Sequence, residues 1–133
     1  SDYAKSILRS SEFKSAKAGT VYEIAVLKGN LLSDSNRVIK NIRGEAGKRK
    51  FSTPNTEVAC LIREKFTDDE IKKMGLLWIT TMHEPINDSD ADPKLLSIYC
   101  NDDVSRLDAY FISPDHSCLR DDGFAFVVSQ VPL

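Results

Sequence analysis

Thr67-Asp68-Asp69-Glu70-Ile71-Lys72-Lys73-Met74-Gly75 runs straight into Leu76-Leu77-Trp78-Ile79-Thr80-Thr81-Met82, and this stretch decides the fold class. Its first half is a helix start. The Thr67 hydroxyl is placed to accept the Glu70 amide while the Glu70 carboxylate reaches back to the Thr67 amide. Asp68 and Asp69 sit at the positive end of the helix dipole, and Gly75 offers a left-handed stop after Met74. The second half is apolar on both faces, which predicts a central strand.

Working outward, His83 to Pro93 reads as a polar loop. Leu95–Cys100 and Arg106–Ile112 flank Asn101-Asp102-Asp103 and predict a β-hairpin. Ser113–Gly123 is a second polar loop, and Phe124–Val131 a closing strand of high β propensity. Upstream, Thr56–Ile62 alternates as a strand does, Gly44–Pro54 reads as a basic loop, and Arg37–Ile42 as a short strand. Thr20–Leu27 is β-branched and aromatic, and Gly29-Asn30 ends it. Asp2–Lys17 lacks Gly and Pro and spaces Tyr3, Ile7, Leu8 and Phe13 as an amphipathic helix would.

The expected architecture is α+β and a single domain over residues 1–133. It has a largely antiparallel sheet of about five or six strands, an N-terminal helix and a short second helix. A parallel βαβ unit is expected only around Thr56–Met82. The chain has no internal repeat and no linker.

The 133 residues are 41% hydrophobic and 29% charged, enough to bury a core without metal or disulfide. Cys60, Cys100 and Cys118 are odd in number and lack any CxxC pair, so they read as free thiols in a reducing compartment. No apolar run is long enough to cross a bilayer, and Ser1-Asp2-Tyr3 opens without a basic-then-apolar leader. The expected location is the cytoplasm.

Charge is divided along the chain. Residues 1–66 carry 13 Lys+Arg against 7 Asp+Glu, a net of +6; residues 67–133 carry 5 against 13, a net of −8. Opposite potentials on one molecule steer association, including with copies of itself.

The His83–Pro93 loop is the leading candidate site, because it leaves a central strand and gathers His83, Glu84, Asp88, Asp90 and Asp92. Asp88-x-Asp90-x-Asp92 opens like a calcium loop, but Pro93 replaces the required Gly and Tyr99 the required Glu, leaving only adventitious cation binding. His83 and His116 are the only histidines, each beside a carboxylate, Glu84 and Asp115. If the two polar loops met, His83, Glu84, His116 and Cys118 could form a zinc site or an acid–base pair. Cys118 as a nucleophile is disfavoured by Asp115, Asp121 and Asp122, which raise a thiol pKa. Cys60 and Cys100 are expected in the core.

Lys40, Arg43, Lys48, Arg49 and Lys50, with Phe51 at the end, form the phosphate-binding candidate. A net acidic chain with no GxxxxGK[ST] or GxGxxG weighs against nucleic acid and nucleotides. Trp78, Tyr99, Tyr110, Phe111, Phe124 and Phe126 are read first as core aromatics, Trp78 also as a ligand contact.

No complete catalytic motif is present and no cofactor is implied. The functional expectation is a binding protein that self-associates, or meets another protein, through complementary charge. The alternatives are a small hydrolase or isomerase using His83, Glu84 and His116, or a nucleic-acid-associated protein using Lys48, Arg49 and Lys50.

Overall fold

The computed structural model describes residues 7–10, 20–87, 93–100, 105–111, 113 and 115–132. The elements are β1 (Ile7–Ser10), β2 (Thr20–Lys28), a 3-10 turn (Gly29–Leu31), α1 (Ile39–Lys48), α2 (Glu57–Lys65) and α3 (Asp68–Lys73). There follow β3 (Trp78–Thr81), β4 (Ile86–Asn87), β5 (Pro93–Cys100), β6 (Ser105–Phe111) and β7 (Asp122–Pro132). The architecture is α+β, around a mixed sheet in the order β1-β2-β7-β3-β5-β4, with β6 also on β5.

The central pair departs from the expected antiparallel pattern. β3 runs parallel to β7, pairing Trp78–Thr81 with Asp122–Ala125, while every other pairing among the described strands is antiparallel. The parallel partner of β3 is therefore the last strand, not a strand at 56–62. The expected sheet of five or six largely antiparallel strands is corrected accordingly.

Both faces of the sheet are covered. Val58 and Ile62 of α2 and Ile71 of α3 pack with Ile24, Val26, Ile79, Ile98, Ala125 and Val127. Ile39, Ile42 and Ala46 of α1 pack with Leu27, Leu95, Phe124, Phe126 and Met82 on the other side. Alternation along β7 divides these sets, since successive strand residues point to opposite faces.

Three local expectations fail for identifiable reasons. Residues 7–10, read within a helix, form β1 and pair Ile7–Ser10 with Tyr22–Ala25. The rest of that helix reading lies outside the described residues. Arg37–Ile42 was expected as a strand and Gly44–Pro54 as a loop, yet α1 spans Ile39–Lys48. Its buried residues Ile39, Ile42 and Ala46 stand three and then four apart, a helical stripe. Thr56–Ile62 is helical as well. Val58 and Ile62, four apart, satisfy both a strand face and a helix face, and it is the burial of Ala59 that is helical. Cys60 is consequently exposed, against the expectation of a core thiol.

The quoted stretch behaves as read. Thr67 Oγ1 accepts the Glu70 amide at 3.2 Å, Glu70 Oε1 accepts the Thr67 amide at 3.0 Å, and Gly75 has φ of +81°. β3 lies between β7 and β5. β5 and β6 pair from Lys94↔Phe111 to Cys100↔Ser105; the expected turn at 101–103 lies outside the described residues. Among the described residues no helix is long and apolar enough to cross a membrane.

Candidate functional site

The sheet forks at the carboxyl end of β3. Thr80 pairs with Ser97, and Ile86 of β4 with Lys94, so six positions advance along one strand against three along β5. Because β6 holds the other edge of β5, β3 and β4 share this one, and the three surplus residues form a bulge between them. Met82 makes the last bond to β7, its amide donating to the Ala125 carbonyl at 3.1 Å.

Beyond that point Ser52 takes the place β3 has left. Its amide donates to the Val127 carbonyl at 2.7 Å, and it accepts the Val127 amide at 2.9 Å. The segment from Ser52 to Thr56 thus crosses the sheet edge, carrying the chain from α1 on one face to α2 on the other. Asn55 anchors it: Nδ2 donates to the Tyr22 hydroxyl at 3.0 Å and Oδ1 accepts the Val58 amide at the start of α2.

Between this segment and the bulge lies a cleft of about 630 Å3, lined by Tyr22, Ser52, Thr53, Thr56 and Glu84 among others, with His83 also on its wall. Glu84 is exposed; His83 is 1% exposed and belongs to the wall's interior.

His83 is held by both ring nitrogens. A carbonyl can only accept, so Nδ1 donates its proton to the Glu84 carbonyl at 2.7 Å. An amide can only donate, so Nε2 accepts the Leu96 amide at 3.0 Å. The imidazole therefore replaces the backbone acceptor that the bulge withdraws from β5. Burial pushes its pKa below the ordinary 6.5, and the Arg43 cation adds to this, against the opposing Glu84 carbonyl bond and carboxylate. Arg43, from α1, donates through Nη1 to the Met82 carbonyl at 3.0 Å and through Nη2 to the His83 carbonyl at 2.9 Å. Burial lowers the pKa of Arg43 as well, without threatening its charge.

The other sequence candidates lie elsewhere. His116 is exposed, on the segment whose carbonyl accepts the Ile39 amide at the start of α1, and it does not line the cleft. The mooted set of His83, Glu84, His116 and Cys118 is not assembled: among the described residues no three such side chains could share a metal ion. Asp88, Asp90 and Asp92 lie outside the described residues. Trp78 is half-buried and packs against Tyr99 with the rings tilted by 34° and centroids 4.2 Å apart, and Phe124 and Phe126 are core.

Cys118 is buried, its thiol pushed to about 12 chiefly by burial and then by Asp122, a shift that holds it in the protonated form. Burial likewise takes Cys100 to about 11, with Asp68 adding to it.

The basic stretch is divided by its helix. Arg43 turns inward to the bulge. Lys40 pairs with Asp115 at 3.2 Å, Arg49 with Glu45 at 3.1 Å, and Lys48 and Lys50 are exposed. Phe51 packs against Phe126, centroids 6.4 Å apart, so its ring is half-buried in the core and not offered to a base.

The roles of Arg43 and of Ser52–Thr56 were missed in the sequence. Only the helical spacing around Arg43 could have separated it from its basic neighbours.

Set against protein-family models, curated proteins and solved structures, the chain matches none. The class that the fold defines is an α+β domain with a mixed sheet, covered by helices on both faces and forked at its one parallel pair among the described strands.

Proposed function

We propose that this chain is a binding protein, and that its ligand is a small hydroxyl- or amine-bearing molecule held in the cleft at the fork. The observation carrying this reading is position. The cleft opens at the carboxyl end of β3, beside Val127 midway along β7, where the parallel neighbours diverge, a place at which sheets offer backbone groups and loops to ligands. Its volume falls within the range of about 300–1,000 Å3 usual for small-molecule sites.

The lining suggests the ligand class. Ser52, Thr53 and Thr56 supply hydroxyls, Tyr22 a phenol, and Glu84 the one formal charge, which is negative. A neutral or cationic polar molecule suits that set better than an anion. A catalytic role has less behind it, since both His83 nitrogens are already committed and the buried thiols stay protonated.

Self-association through opposite charge also has less support. Lys40–Asp115 and Arg63–Asp68 each join a cation of the basic half to an anion of the acidic half, so part of the opposing charge is already neutralised within one molecule.

A fragment library of small alcohols and amines, followed by backbone amide NMR, tests the proposal. Saturable shifts are expected at residues 52, 53, 55, 56, 84 and 127. Shifts confined to other surfaces, or none at all, would overturn it.

A further inference from the structure

We propose that His83 is a proton-operated latch on the cleft: while neutral it ties the β3–β4 bulge to β5, and on protonation it releases that bulge. As regulation of ligand binding this rests on the reading of the cleft given above, while the latch itself stands on the geometry of the ring.

Only one protonation state fits the contacts. Nδ1 carries a proton because its partner is the Glu84 carbonyl, and Nε2 is bare because its partner is the Leu96 amide. Adding a proton to Nε2 sets two donors face to face at 3.0 Å, so the ring or the Leu96 amide must move away. The ring cannot simply turn to water, being 1% exposed.

Among the described residues, the charged groups facing the ring are two. Arg43, from α1, opposes an imidazolium, because its guanidinium is held on the His83 carbonyl itself. Glu84, from the bulge, favours one, but its carboxylate is exposed and its influence is weakened by solvent. β5 presents the Leu96 amide. The Ser52–Thr56 segment brings hydroxyls and the Asn55 amide to the cleft, and β2 brings the phenol of Tyr22. Acid therefore breaks the bond to β5 and places a cation in a cleft otherwise suited to cations, and both effects weaken binding of an amine.

The device is readable without any ligand. The full chain, labelled with 15N in its histidine rings and backbone, is titrated from pH 8 to 4.5. At pH 7.5 His83 is expected to be protonated on Nδ1 and bare on Nε2, and to titrate below the ordinary imidazole value. Over the same interval the exchange protection of the Leu96 amide falls by at least about tenfold, as expected on losing a buried bond. His83→Gln, whose Oε1 can accept the Leu96 amide but does not titrate, keeps that protection throughout.

Three results would each overturn the latch: an Nε2-protonated ring at pH 7.5, unchanged Leu96 protection through the His83 titration, or acid loss of protection in His83→Gln equal to that of the wild type. If His83→Gln does not fold, the wild-type ring and Leu96 measurements decide alone. A cleft that binds no fragment leaves all of these readouts unaffected, so the two proposals fail separately.

Discussion

The guanidinium of Arg43 and the main chain of His83 meet at 2.9 Å across forty positions of sequence, fastening helix α1 to the point where the sheet divides. The same group holds the Met82 carbonyl, so one side chain satisfies two acceptors that the bulge has taken out of the ladder. A buried carbonyl without a donor is costly, and charge-assisted bonds are the stronger kind.

Arg43→Met should therefore destabilise the chain by about 2–4 kcal/mol, two lost charge-assisted bonds and two stranded carbonyls. Arg43→Lys keeps the charge but not the planar fork, and should fall between the two. Urea unfolding measures both. Equal stability of Arg43→Met and wild type would remove the clamp from the account.

Stability should decline with acid before the carboxylates titrate. The folded pKa of His83 lies below the ordinary 6.5, held there first by burial, so the unfolded chain takes up the proton earlier as pH falls. The contribution is complete above the ordinary value and shrinks as pH drops through it toward the folded one. Urea midpoints should be nearly level between pH 8 and 7 and fall at pH 6 and 5, with a shallower decline in His83→Gln. Identical profiles for the two proteins would contradict this.

The thiols should separate by reactivity. Cys60 is exposed on α2, whereas Cys100 and Cys118 are buried with pKa values raised to about 11 and 12. Iodoacetamide at pH 8 should label Cys60 alone in the native protein and all three in urea, as intact-mass spectra would show. Labelling of native Cys118 at the rate of Cys60 would be inconsistent with the packing of the 117–122 segment.

Helix α3 is short and owes much to its first turn. Thr67→Ala removes the acceptor for the Glu70 amide and should cost about 1 kcal/mol, while Thr67→Ser should be nearly silent. Thermal or urea unfolding of the two variants distinguishes them.

What was legible in the sequence was what local chemistry determines. Thr67, Glu70 and Gly75 specify a start and a stop by hydrogen bonds within a few residues, the polar turn after Leu95–Cys100 marks it as a hairpin arm, and the β propensity of Phe124–Val131 specifies a strand. Less legible was anything decided by packing across the chain. Ile39 and Ile42 have β-branched side chains, and only their packing with Phe124 and Phe126 makes a helix of that segment. Ile7–Ser10 likewise becomes a strand because β2 offers it an edge.

The candidate site was half legible. His83 and Glu84 stand out because they follow the central strand. Ser52, Thr53 and Asn55 read only as a polar connection, since nothing local announces that Ser52 bridges to Val127. His83 and His116 looked equivalent by neighbours alone; the bulge separates them, burying one ring while leaving the other in solvent.

The central claim is that the fork binds ligand, and an isotherm tests it most directly. The fragment giving the largest amide shifts is titrated calorimetrically into wild type, Thr53→Trp and Leu119→Ala, the last a substitution at a residue 58% exposed that does not line the cleft. Binding is predicted to be lost in Thr53→Trp, where the indole fills the cleft, and retained in Leu119→Ala. Equal affinity in the two variants would show that the ligand sits elsewhere.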